Sequence, residues 1–403
     1  IMKVNPQQFL EDGFVIIREC VPPKQLDKLR NSFEILVERQ KEIWRRNRNP
    51  DHPPSSIWET SAQPRLGTFN ALIDETTADT VEFCLHENTM GVCRQLMRAK
   101  EAGAQNMFFM CSPVRDHGPA HWHRDIHPFD QAPLCGLEID LLLNAPGYLQ
   151  WNIALYDDDV LWVIPKSHRR ANTEAENRQL LENPRIPLPK GIPVKLKAGD
   201  GVVYTNTILH WGSNYSRTLR RTIHLGYRSF GGPIFPYVCH FHRDLGFTKY
   251  LSPAARETFE RHVQLYEKEC DVIGSTFRAI IDKNAQAVRD GLAVLHPGER
   301  GRIVCVILLS KIVFKMRLHH HPEMHAGGSS RYGGDISQDK DLVSCFSREE
   351  IDTLWQRFAT LDAKLQSAVE QYTPGFQAQR MHYFFEEMPA DFDVEDFIAS
   401  WKT

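Results

Sequence analysis

Residues 119–130 read Pro119-Ala120-His121-Trp122-His123-Arg124-Asp125-Ile126-His127-Pro128-Phe129-Asp130. Ligand-type side chains fall at alternate positions. In an extended segment His121, His123 and Asp125 project to one side, each about 6.6 Å from the next. His121 and Asp125 are then about 13 Å apart, too far to share one ion without a bend, so only adjacent pairs chelate. His123 with Asp125 supplies one imidazole and one carboxylate. These are two thirds of the 2-His-1-carboxylate set that binds non-haem Fe(II) and leaves positions open. The third ligand must be a second histidine from elsewhere in the chain.

Downstream, residues 201–206 form a strand-like run introduced by Ala198-Gly199-Asp200, and His210 follows it as the best candidate for that histidine. Ten residues on, the stretch 219–229 places Leu219, Ile223, Leu225 and Tyr227 on one face and Arg220, Thr222 and His224 on the other. One face packs and the other lines a polar interior. An arginine on that lining suits a bidentate grip on a carboxylate. Arg221 interrupts the alternation, so the choice between Arg220 and Arg221 stays open, with Arg220 favoured by the strand face. Strands are expected at 140–143, 150–156, 160–164, 194–196, 201–206 and 219–229, with a polar, Pro-rich excursion at 171–193. Many short strands close together indicate a sandwich or barrel. Before them, residues 6–11 and a helix from Pro23 with Leu26, Leu29, Phe33 and Leu36 on one face read as helical, with a short strand at 14–17 between. After about residue 238 the pattern is helical again. Ser252-Pro253 is an N-cap signal, and Ser347-Arg348-Glu349-Glu350 is a capping box. Residues 319–335, rich in His, Gly and Ser, read as a loop.

The ordered set resembles the phytanoyl-CoA dioxygenase family of Fe(II)/2-oxoglutarate oxygenases. It comprises H-x-D, Ala-Gly-Asp, a distal histidine, then Asn214, Ser216 and Arg220. The opening Phe9-Leu10-Glu11-Asp12-Gly13-Phe14-Val15-Ile16 and the turn Ile164-Pro165-Lys166-Ser167-His168 are similar to that family's start and to its Pro-Gly-Ser-His turn. The resemblance covers roughly residues 6–230. It implies a mainly β core with flanking helices, a double-stranded β-helix or cupin-like jelly roll, and Fe(II) held by His123, Asp125 and His210. It also implies that Arg220 binds the distal carboxylate of 2-oxoglutarate, with Asn152 and Ser213 as further cosubstrate contacts. The expected domains are 1–240, in which residues 1–105 are helical and 106–240 form a jelly-roll core, and a mainly helical extension 241–403. The implied activity uses dioxygen to oxidise a C–H bond of a small or medium metabolite and releases succinate and CO2. A carboxylate at Asp125 points to hydroxylation or a related oxidation, since related halogenases carry a small residue there. The chain departs from the family at Lys166, where the turn has glycine, and at Asp158-Asp159-Val160, which replace an Asn-Gly.

Composition bounds the alternatives. The 403 residues, 42% hydrophobic and 25% charged, describe a globular chain of one large or two ordinary domains. Lys plus Arg number 48 against 51 Asp plus Glu, a balance with no electrostatic footprint for nucleic acid or an anionic membrane. Nine cysteines without a C-x-x-C pair suit a reducing, cytoplasmic setting. Residues 303–314 are too short and too interrupted to span a bilayer, and no secretory signal is legible near the start. His121 and His127 read as pocket-lining groups, His224 as core or substrate contact, and His240 and His242 as structural. Most of Phe108, Trp122, Phe129, Tyr204 and Trp211 read as core. Two other functions use the same residues: a zinc or manganese cupin enzyme without 2-oxoglutarate, and a non-catalytic metal- or ligand-binding module. A homodimer through the C-terminal helices is compatible with all three.

Overall fold

The computed structural model describes residues 2–67, 69–127, 131–234, 244–327, 338–376, 380–388 and 392–402. In chain order the strands are β1 (Phe14–Ile17), β2 (Arg65–Leu66), β3 (Glu101–Cys111), β4 (Tyr148–Ala154), β5 (Leu161–Val163), β6 (Ile192–Pro193), β7 (Gly201–Tyr204), β8 (His210–Gly212) and β9 (Arg221–Phe230). The helices of seven or more residues are α1 (Pro6–Asp12), α2 (Pro23–Arg46), α3 (Met90–Leu96), α4 (Leu134–Asn144), α5 (Glu174–Glu182), α6 (Pro253–Ile281), α7 (Ala285–Leu295), α8 (Arg302–His320) and α9 (Arg348–Leu365). One antiparallel sheet runs β1-β7-β4-β9-β3-β2, and a second runs β6-β5-β8.

The period-two pattern of the larger sheet sets its two faces. Outward-facing Phe109, Leu149, Trp151, Ile153, Ile223, Leu225 and Tyr227 join one apolar cluster with Leu29, Phe33 and Leu36 of α2 and Val92 and Leu96 of α3. Phe33 meets Phe109 edge to face at 5.4 Å between ring centroids. The inward residues Ala154 and Val202, with Leu161 and Val163 of the second sheet, form a smaller cluster. Side chains of both sheets then line one cavity. Helices α6 to α9 bring most of the apolar side chains of a further cluster, to which Ile126, Leu134 and Phe230 also belong. Helix α6 places Phe259 in the sheet's own cluster, so the apolar packing crosses residue 240 in both directions.

Three expectations are corrected. Residues 140–143 are not a strand but the last turn of α4, which starts after Pro133 and runs eleven residues. Its apolar run carries no period that separates helix from strand. The β-rich region begins at Glu101, not at residue 106, because β3 pairs with β9 from Glu101↔Phe230 to Cys111↔Arg221. The weak strand formers Ala102, Gly103, Gln105 and Asn106 conceal it. Residues 303–314, the apolar run too short to span a bilayer, lie inside α8. The loop expected at 319–335 is helical at its start, since His319 and His320 end α8 and a 3-10 segment, Pro322–Gly327, follows. Residues 328–335, Phe129, His240 and His242 lie outside the described residues. Among the described residues no helix is long and apolar enough to cross a membrane.

The turn after β5 shows why the family carries glycine where this chain has lysine. Lys166 sits at φ +67°, a left-handed backbone that a Cβ disfavours. It is held there by its N–H donating to Asp12 O at 3.0 Å and by His168 Nε2 donating to Leu10 O at 2.8 Å, which dock the turn on the end of α1. Lys166→Gly is expected to raise stability by up to about 1 kcal/mol, read as a higher midpoint in urea unfolding. An unchanged or lower midpoint would show that the strain is not there.

Candidate metal centre

The segment carrying His123, Arg124 and Asp125 is extended and pairs with the start of β8. His123 N–H donates to His210 O, and His210 N–H to His123 O, both at 2.9 Å. That bridge brings together two histidines 87 residues apart in sequence, with ring centroids 4.3 Å apart. Alternation then sends His123 and Asp125 to one side and Arg124 to the other. Arg124 is fully buried. Its Nη1 donates to Ser167 O at 2.7 Å and Thr207 O at 2.6 Å, and its Nη2 to Asn172 Oδ1 at 2.9 Å. Its backbone N–H donates to Gly375 O at 2.7 Å, and Asn172 Nδ2 to Pro374 O at 2.7 Å. Ser167 Oγ accepts from Leu209 N–H at 2.8 Å, fixing the residue before His210.

One ligand-type atom from each of His123, Asp125 and His210 lies within 4.8 Å of the other two. His123 Nδ1 donates to His121 O at 2.8 Å and His210 Nδ1 to Ile208 O at 2.9 Å. A carbonyl only accepts, so both Nδ1 atoms carry hydrogen and both Nε2 atoms turn to Asp125, at 3.5 and 3.3 Å. Metal-binding histidines are oriented by this kind of contact. Gln150 Nε2 donates to Asp125 Oδ2 at 2.7 Å. Burial, reinforced by His210, pushes His123 down to about 4, so it is neutral at pH 7. Burial works against ionisation of Asp125, but His210, His123 and the Gln150 amide outweigh it and hold the carboxyl well below its usual range. In His210 burial acts downward, and the Asp125 carboxylate raises it above its ordinary value.

These residues stand in a cavity of about 390 Å³ that also holds Arg220, Asn152 and His224. Arg220 is buried, its Nε donating to Asp158 Oδ2 at 2.8 Å, while its Nη1 is buried without a hydrogen-bond partner. Tyr215 lies beneath the guanidinium, 5.2 Å from ring centroid to Cζ. Arg221 points the other way and pairs with Glu34 of α2 at 2.6 Å. Asn152 Oδ1 accepts from His224 Nδ1 at 2.8 Å, and burial, with Arg65 adding to it, pushes His224 down to about 3. His127, Phe108 and Tyr204 line the cavity, whereas Trp122 and Trp211 stack on each other at 5.3 Å in a separate apolar cluster. His121 borders a neighbouring groove. Ser213 is not among the cavity-lining residues; it is buried, with its N–H on Val160 O at 2.9 Å. Two groups escaped the sequence reading. Gln150 shares a strand face with Asn152 by period two and was legible on that ground. Asp158, read only as a departure from the family, is the partner of Arg220.

No curated protein sequence matches the chain significantly. Among solved structures, EctD from S. alaskensis in its apoform is 13% identical, with 60% of this chain and 84% of that chain covered and a TM-score of 0.43. AviO1 from Streptomyces viridochromogenes Tue57 is 17% identical, covering 59% of this chain and 100% of that one at a TM-score of 0.40. HygX from Streptomyces hygroscopicus, solved with nickel and 2-oxoglutarate bound, is 13% identical over 58% of this chain and 88% of that one, with a TM-score of 0.40. The sequence pattern of the phytanoyl-CoA dioxygenase (PhyH) family matches residues 9–222. That match takes in more than half of the 403 residues, from Phe9 in α1 to Thr222 in β9, and the chain belongs to the phytanoyl-CoA dioxygenase family.

Proposed function

We propose that the protein is an Fe(II)- and 2-oxoglutarate-dependent oxygenase acting on a C–H bond of a small or medium metabolite. The observation that carries this is the pairing of a two-histidine, one-carboxylate cluster with a buried arginine donor that lacks a partner in the same cavity. Two imidazoles and a carboxylate suit Fe(II) and leave positions open. Supplied with both, the centre oxidises R–H with 2-oxoglutarate and O2 to R–OH, succinate and CO2, one oxygen atom entering each of R–OH and succinate.

His123 and His210 would present Nε2 and Asp125 a carboxylate oxygen to the metal. The backbone bonds at each Nδ1 hold both rings in the ligating tautomer before metal arrives. Arg220 would bind the far carboxylate of 2-oxoglutarate through Nη1, with Asp158 fixing its Nε side. Asn152 spends its carbonyl oxygen on His224 and keeps its amide hydrogens for the cosubstrate. In this reading the two sheets are the walls of a double-stranded β-helix, and the segment beyond residue 240 supports it as a helical extension. Zinc or manganese chemistry without 2-oxoglutarate leaves the Arg220 donor unexplained.

Anaerobic addition of Fe(II) and 2-oxoglutarate is expected to give a weak visible charge-transfer band, and air then succinate above a metal-free control. Absence of both band and succinate would end this reading.

A further inference from the structure

Strand β3 contains one irregularity, and it lies at the cavity. Ala104 pairs with Tyr227 and Asn106 with Gly226, so Gln105 is an extra residue in the register. Such a bulge re-aims side chains, and here two consecutive residues, Gln105 and Asn106, both line the cavity where regular pleating would admit one. The residue opposite is Gly226, which pairs with Gln150 on its other side. A Cβ on Gly226 would lie 2.5 Å from Asn106 Oδ1 and 2.4 Å from Tyr148 Oη. With no side chain at Gly226, Asn106 from β3 and Tyr148 from β4 close over the strand there, and Gln150 of β4 stands beside it.

The cavity wall at this point is neutral and hydrogen-bonding. Gln150 must donate its amide to the Asp125 carboxylate, which fixes its orientation, and its Oε1 is left as a buried acceptor without a partner in a side chain 6% exposed. Asn106 Nδ2 donates to Tyr148 Oη at 3.3 Å, and its Oδ1 is likewise buried without a partner. Further round the lining stand the carboxamides of Gln63 and Asn206. The charged groups are committed: Asp125 faces the histidines, Arg220 is on Asp158, and Arg65 donates through Nε and Nη2 to Gln63 Oε1. An apolar chain here would leave the Asn106 and Gln150 carbonyl oxygens desolvated and unpaired, and a carboxylate or phosphate would face those same oxygens. Hydroxyl groups, which donate and accept without charge, complete them.

Resting on the oxygenase reading above, we propose that the substrate is a neutral polyhydroxylated molecule, a sugar or cyclitol, whose hydroxyls donate to Asn106 and Gln150 on the cavity wall beside the β3 bulge. The carboxamides hold the ring, and Gln150, bonded to both Asp125 and substrate, sets a C–H bond facing the metal.

The test uses the whole 403-residue protein loaded with Fe(II) and 2-oxoglutarate. The anaerobic charge-transfer band is recorded first, so that failure of the oxygenase reading shows there as a missing band. Succinate release is then measured with D-glucose, maltose and myo-inositol in one arm and with octanoyl-CoA, L-proline and spermidine in the other. At least one polyol is expected to raise succinate several-fold above the substrate-free rate. Asn106→Ala is then expected to raise its KM by about tenfold with the band retained. Gln105→Ala, at the bulge residue, is the second variant in case Asn106→Ala does not fold. With the band present, stimulation only by the thioester, amino acid or polyamine overturns the proposal. So does failure of every polyol, or a KM unmoved in both folded variants.

Discussion

Asp125→Ala is expected to lower iron-dependent succinate formation to the rate of the metal-free control. The carboxylate holds the cluster together: both Nε2 atoms face it, and it supplies the negative charge that a divalent ion requires between two neutral imidazoles. Alanine leaves two histidines 4.3 Å apart between ring centroids with nothing to offset the ion's charge. His123→Ala is expected to fail equally. Gln150→Leu removes only the amide on Asp125 and should weaken iron binding by about 10- to 100-fold without abolishing it. Iron content after dialysis, read beside succinate, separates loss of metal from loss of turnover. Full turnover in Asp125→Ala would sink the ligand assignment.

The second large effect concerns the paired arginines. Arg220→Met is expected to weaken 2-oxoglutarate binding at least about thirtyfold, measured by anaerobic titration of the visible band. Arg221→Met should leave it within about twofold, because that guanidinium lies on Glu34 at the opposite face of the sheet. Removing Arg220 also strands Asp158 as a buried carboxylate, at a cost of about 3–5 kcal/mol. The double variant Arg220→Met/Asp158→Asn should recover much of that stability, read by urea unfolding, but none of the 2-oxoglutarate affinity. Recovery of both would mean that Arg220 acts only through the fold. Equal losses in Arg220→Met and Arg221→Met would remove the distinction between the two faces.

How far the sequence discloses these features depends on whether one side of an element differs from the other. The stretch from Arg220 to Tyr227 is legible because Ile223, Leu225 and Tyr227 pack with the helices while Arg220 and His224 line a polar cavity, so the alternation survives beyond Arg221. Asn152 came through the resemblance, and the same period, counted from it, would have placed Gln150. It fails at β3, where the bulge at Gln105 breaks the period and Glu101 to Asn106 contain no strong strand former. It fails also in α4, where Ile139, Leu142 and Leu143 are exposed although apolar, so no face announces itself. His123 and Asp125 were readable as a pair from spacing alone. His210 was readable as a candidate from the strand-like run before it, but its meeting with them depends on a bridge between distant backbones that no local pattern discloses. Ser213 shows the limit of that resemblance, since a position near the right place in sequence is not a position on the cavity wall.

The bond from Arg124 N–H to Gly375 O ties the segment of the candidate metal centre to residues made about 250 positions later. During synthesis, all of His123, Asp125, His210 and Arg220 leave the ribosome while Pro374 and Gly375 are still untranslated. Until then Arg124 N–H and Asn172 Nδ2 lack those acceptors, so two of the bonds that hold the segment form only with chain made far downstream of every candidate ligand. The last fastening of the candidate centre is in that sense encoded outside the stretch that supplies its side chains.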